Sequence, residues 1–169
     1  GDEALDIWVI LNKGRDSAVV RISGYHTNIV LIEKNGEVLY KAGEVQADEK
    51  LLADKSLLTI KDIIEFANIL DVEDVKTILA EGGDQTPEYL EMYDLFNRLK
   101  QDGDITFLSL VIPDEDSVRF YIDAMVEEMG DDPANQLPYG SDILYTDAAN
   151  PDDPADMEKY ITIREKYAE

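Results

Sequence analysis

LDIWVILNKGRDSAVVRISGYHTNIVLIEKNGEVLYKA (Leu5–Ala42) is the stretch whose reading decides the fold. It breaks into four short runs that read as strands: residues 6–11, 17–23, 27–33 and 37–41. In the first run Ile7, Trp8, Val9, Ile10 and Leu11 are all apolar, which predicts burial on both faces rather than on one. Lys13-Gly14-Arg15-Asp16 is a polar turn with a glycine, and it leads into the second run. There Arg21 interrupts the apolar residues and predicts one wet face. The third run is apolar and β-branched. Asn35-Gly36, between the third and fourth runs, is the dipeptide that type I′ hairpin turns favour. Connections this short join antiparallel neighbours, so the expectation is a four-stranded antiparallel meander.

Beyond it, residues 44–55 read as a polar connector. Thr59 then caps a helix with Ile60, Ile63, Ile64, Ala67 and Leu70 at helical spacing. Asp71 caps a second helix over residues 72–80, which carries Val75, Ile78 and Leu79 and stops at Gly82-Gly83. Thr86-Pro87 places a cap and then a proline at the first helical position. The helix it opens turns Leu90, Tyr93, Phe96 (or Met92) and Leu99 inward and ends at Asp102-Gly103. Residues 104–112 form a core strand stopped by Pro113. Asp114-Glu115-Asp116-Ser117 reads as the cap of a helix to Met129, with Val118, Tyr121, Ile122, Met125 and Met129 as its stripe. A strand over 142–146 and a helix over 157–167 follow, the latter carrying Met157, Tyr160, Ile161, Arg164 and Tyr167. The expected class is α+β: meander (1–43), three helices (44–103), then an acidic strand–helix–strand–helix part (104–169), packed as one domain on one mixed sheet.

Charge is the outlying property. The 169 residues carry 38 acids and 15 bases, net −23. Residues 1–50 contribute −3, residues 51–100 contribute −6, and residues 101–169 contribute −14. Such a surface repels nucleic acid and anionic membrane and attracts basic proteins. The 44% apolar content is that of a globular chain, and no apolar run is long enough to span a bilayer. Cysteine is absent, which excludes disulfides, thiol nucleophiles and thiolate metal sites. The chain starts Gly1-Asp2-Glu3, with neither an initiator Met nor a signal-peptide pattern. The expectation is that an upstream segment has been removed, with the compartment and oligomeric state left open.

Chemistry-bearing patterns are few. His26 is the sole histidine, and Ile22-Ser23-Gly24 lacks the strand–elbow–helix setting of a nucleophilic serine, so His26 reads as a turn residue bonded locally. Phosphate-cradling glycine loops are absent from the sequence. Arg21-Ile22-Ser23-Gly24-Tyr25-His26-Thr27-Asn28-Ile29-Val30 with its following hairpin resembles the phosphate-binding hairpin of actin-like ATPases. The expected order of elements is similar to that superfamily's core. The resemblance covers about 25 of 169 residues. The family's metal-linked aspartate falls at Arg21 and its turn glycine at Ser23. What the resemblance implies is therefore a common hairpin pattern without ATP binding. No cofactor is expected.

The C-terminal loops hold the remaining candidates. Asp147, Asn150, Asp152, Asp153 and Asp156 offer the hard oxygens that calcium takes, though at no EF-hand spacing, so a solvated acidic loop is the stronger reading. Tyrosine suits protein interfaces, and Tyr139 and Tyr145 lie among these acids. The partner-binding set is Asp131, Asp132, Tyr139, Asp142, Tyr145, Asp147, Asp152, Asp153 and Asp156. The expected function is a non-catalytic acidic module engaging a basic partner protein, of the inhibitor, immunity or nucleic-acid-mimic type. The alternative is a secreted or cell-envelope domain whose acidity serves solubility. An enzyme or degenerate actin-like nucleotide-binding domain ranks third, because no motif anchors it.

Overall fold

The computed structural model describes residues 5–10, 19–23, 28–33, 38–41, 66, 69–102 and 105–168. Seven strands build one sheet: β1 (Leu5–Ile10), β2 (Val19–Ser23), β3 (Asn28–Glu33), β4 (Val38–Lys41), β5 (Phe107–Pro113), β6 (Ser117–Asp123) and β7 (Ser141–Leu144). Their spatial order is β4-β3-β1-β2-β5-β6-β7. Among the described residues the helices with defined bounds are α1 (Val72–Leu79), α2 (Pro87–Asp102), α3 (Tyr145–Ala148) and α4 (Pro154–Ala168). The class is α+β, on a mixed sheet. Among the described residues no helix is long and apolar enough to cross a membrane.

The first four strands lie where the sequence puts them but are not paired as a meander. β1 pairs antiparallel with β2 and parallel with β3, so β2 and β3 flank it on opposite sides. A run that is apolar on both faces belongs inside a sheet, and this order gives β1 a neighbour on each edge. Trp8 and Ile10 are accordingly buried. Five peptide steps separate Ser23 from Asn28, a reach of roughly 17 Å, ample for the roughly 10 Å between alternate strands. β3 and β4 do pair antiparallel, as a hairpin requires. The Asn35-Gly36 turn, His26 and residues 42–65 lie outside the described residues, and with them the connector and most of the helix expected from Thr59.

The sheet carries a core on each face. Adjacent residues of β2 divide between them: Val20 and Ile22 join Leu108, Leu110 and Ile122 beneath α1 and α2, whereas Val19 joins Trp8, Ile10, Val111 and Phe120 beneath α3 and α4. Phe66, Leu70, Val75, Ile78, Met92 and Phe96 close the first core. Tyr145, Tyr160 and Ile163 close the second. Each such side chain contributes about 1.5–3 kcal/mol when fully buried. In α2 the buried positions are Met92, Phe96 and Lys100, four apart, and Leu90, expected inside, is 64% exposed.

Residues 117–123 form β6, not the helix that the acidic start predicts. Leu110 and Val111 of β5 face Ile122 and Phe120, so Tyr121 is an extra residue in the ladder. That bulge switches faces: Val118 and Phe120 enter the second core, and Tyr121 and Ile122 the first. The broken alternation imitates a helical stripe. Arg21 also departs from expectation. Its face is not wet, for the guanidinium carbon lies 4.6 Å from the centroid of Trp8 and 5.7 Å from that of Tyr160.

Candidate functional site: an acidic turn beside a groove

Pro113 closes β5, and residues 114–116 turn the chain into β6. The Asp114 N–H donates to the Ser117 carbonyl (2.8 Å), closing the turn. Three further donors hold its carbonyls from outside. The Tyr145 phenol donates to Asp114, the Tyr145 N–H to Asp116 at 2.9 Å, and the Arg164 guanidinium to Glu115 at 2.9 Å. The start of α3 and the last part of α4 thus fix the backbone, and all three acidic residues are exposed. Arg119 bridges two acids, lying 3.6 Å from Asp114 and 3.0 Å from Asp142. No cation pairs with the Glu115 carboxylate among the described residues. Beside the turn is a groove of about 420 Å³ lined by Ile112, Pro113, Asp114, Glu115, Arg164, Tyr167 and Ala168.

The residues expected to bind a partner are scattered by the fold. Asp131 is drawn inward, paired with Lys100, and Tyr145 is core, 4% exposed, so it offers no surface anchor. Asp132 caps a 3-10 turn, accepting from the Ala134 N–H (2.9 Å). The Tyr139 phenol donates to the carbonyls of Ile78 and Ala80, and its ring meets Tyr89 and Tyr121 edge-on. Asp142, Asp147, Asp152 and Asp153 are exposed.

Three of the five side chains weighed for calcium serve the local backbone. Asn150 accepts from the Asp152 N–H (2.9 Å), Asp153 from the Ala155 N–H (3.1 Å), and Asp156 from the Asn150 N–H (2.7 Å). Asp156 also pairs with Lys159 at 3.0 Å. Among the described residues no group of three or more His, Cys, Asp or Glu side chains gathers to hold a metal. The sequence reading missed Asp114, Glu115, Arg164 and Tyr167 as one site. The signal was present: a strand-ending proline followed by three acids is turn chemistry as readily as helix capping.

A second polar cluster lies under the 124–137 segment. Lys100, 3% exposed, donates to the Asp131 carboxylate and to the Ala124 carbonyl (3.3 Å). Asp131 also accepts from the Val126 N–H (2.8 Å), and Asp123 from the Leu137 N–H (2.9 Å). Burial raises the pKa of Asp123 despite that bond. Burial also pushes Asp131 up, but the hydrogen bonds from Lys100 and Val126 outweigh it and lower its pKa. With these partners satisfied, the cluster acts as a clasp for the segment rather than as a reactive centre.

The fold and this surface define a class, an α+β chain on a mixed sheet clad on both faces with an acidic turn at one end of a hairpin. Particular relatives emerge from sequence. A stretch of 66 residues is 48% identical to a UPF0597 protein of Desulfitobacterium hafniense, covering 38% of this chain and 15% of that one. A UPF0597 protein of Dichelobacter nodosus is 42% identical over 71 residues, 41% of this chain and 16% of the relative. One of Lachnoclostridium phytofermentans is 38% identical over 77 residues, 46% and 18% respectively. The chain therefore spans only 15–18% of the length of these curated relatives. No family model matches the chain, and no solved structure matches it.

Proposed function

We propose that this chain is a non-catalytic, acidic protein-binding module whose C-terminal half engages a basic partner, in the manner of an inhibitor, an immunity protein or a nucleic-acid mimic. The observation that carries the reading is the 114–116 turn. Its carbonyls are tied down by Tyr145 and Arg164, while its three acidic residues are exposed. Asp142, held by Arg119, extends the acidic surface, and exposed Asp147, Asp152 and Asp153 follow in the next loops. A fixed array of like charge speeds encounter with a basic surface and rejects acidic competitors.

The test is fluorescence anisotropy with a labelled lysine-rich peptide at low and at about 0.3 M salt, where the Debye length falls to roughly 6 Å. The expected result is binding at low salt that weakens about tenfold or more as salt rises. Equal retention at both salts would sink the electrostatic account.

A further inference from the structure

We infer that the groove beside the 114–116 turn is an arginine-anchor site: it seats one arginine side chain of the basic partner, flanked by apolar residues. The inference rests on the proposed acidic-module reading and adds to it a place and a side-chain chemistry.

The lining supplies what an arginine needs at both ends. Ile112, Pro113 and Tyr167 offer aliphatic and aromatic surface for the methylene stem. A planar guanidinium also stacks on a tyrosine ring, which an ammonium does less well. Asp114 and Glu115 line the same groove. Glu115 is the open acceptor, because its carbonyl is what Arg164 binds, and its carboxylate is met by no cation among the described residues. Asp114 is shared with Arg119 at a loose 3.6 Å. Carboxylates present two acceptor oxygens, and arginine matches them with a two-pronged hydrogen bond.

One further feature favours a cation here: Asp116, also exposed, stands in the same turn. Arg164, the one cation lining the groove among the described residues, has its guanidinium engaged on the Glu115 backbone and stiffens the wall. Charge complementarity thus selects a basic guest, and the apolar walls select one with a long stem.

The experiment follows amide NMR shifts of the full chain during titration with two peptides, Gly-Leu-Arg-Leu-Gly-Lys and its counterpart with Ser in place of Arg. The expected result is shifts concentrated at Ile112–Glu115 and Arg164–Ala168 with the arginine peptide. Its affinity should exceed that of the serine peptide by about tenfold. Glu115→Gln, a change at an exposed side chain, should abolish that preference, and Glu81→Gln with Glu91→Gln, which removes more charge at exposed side chains outside the groove, should leave it intact. Shifts spread evenly over the acidic loops, with all variants equivalent, would overturn the groove assignment while leaving the acidic-module reading standing. No binding of either peptide at low salt would overturn both. Shifts at the groove that grow with protein concentration alone would overturn the arginine assignment in favour of a second copy of this chain.

Discussion

The Lys100 ammonium is buried and meets the Asp131 carboxylate across 31 positions of chain, joining the last part of α2 to the segment after β6. A lysine at a core position of a helix is tolerable only with such a partner. Asp131→Asn leaves the ammonium buried without its counter-charge, and because Asp131 is itself 27% exposed the cost belongs at the lower end of the buried-pair range, about 3 kcal/mol. Urea unfolding followed by Trp8 emission measures it. The pH dependence has a definite sign. The folded pKa of Asp131 lies below its ordinary value of 3.8, so its stabilisation is complete above that value and is lost as the pH falls through the folded pKa.

Asp123 titrates the other way. Its pKa is raised above 3.8 by burial, so the folded state takes up that proton first. Stability contributed by this group is gained as the pH falls through the raised value and is fully present below 3.8. Asp123→Asn keeps an acceptor for the Leu137 N–H and removes a costly charge. It should shift stability at neutral pH by less than about 1 kcal/mol in either direction. Side-by-side pH titrations of the two variants separate these signs. A loss for Asp123→Asn as large as that for Asp131→Asn would refute the assignment of burial as its dominant influence.

Arg21 tests whether a charge inside the second core stabilises it. Its guanidinium lies over Trp8, reaches the Tyr160 hydroxyl at 3.4 Å, and sits beneath α4. Trp8 and Tyr160 meet edge-on at 6.0 Å. Arg21→Met keeps the stem and removes the cation, so the expected loss is about 1 kcal/mol. Because Trp8 is the single tryptophan, its emission reports the change directly.

The sequence was most legible where local chemistry decides structure. Asp71 accepts from the Glu73 N–H (2.8 Å) and Thr86 from the Tyr89 N–H (3.2 Å), as the capping patterns of those residues predict. It was least legible where neighbours decide. Nothing in Ser17–Ser23 specifies that β2 will take β5 as its second neighbour instead of β3. Tyr121 shows the same limit, since a one-residue bulge converts period-two burial into a pattern that mimics a helix. For the candidate site, the excess of acid after Gly103 drew the reading to this half of the chain, whereas the pairing of Asp131 with Lys100 and of Tyr145 with the Asp114 carbonyl joins residues distant in sequence that no local pattern foretells.

Gly82 and Gly83 lie just beyond α1, which ends at Leu79 with Ala80 as its C-cap, and each is required for a different reason that substitution separates. Gly82 has φ +77° with open space around it, so Gly82→Asn, which tolerates the left-handed region, should cost less than about 1 kcal/mol. Gly83 has no positive φ, but any Cβ there would overlap the Ile78 carbonyl oxygen. Backbone cannot swing aside as a side chain does, so Gly83→Ala should cost about 2–3 kcal/mol in thermal or urea unfolding. Equal costs at the two positions would refute the distinction.

Tyr145 links the second core to the acidic turn. Burial raises the pKa of its phenol, so the group stays a neutral donor over the pH range in which the protein would be handled. Tyr145→Phe preserves the ring against Tyr160, 5.4 Å away, and removes only the bond to the Asp114 carbonyl. The expected destabilisation is about 1 kcal/mol. The Tyr145 N–H still holds Asp116, so the turn should loosen locally and not detach. Amide exchange at Asp114, whose N–H closes the turn onto Ser117, should therefore accelerate more than exchange in the middle of β6. Uniform acceleration along β6 would instead mean that Tyr145 supports the sheet edge as a whole and has no particular hold on the turn.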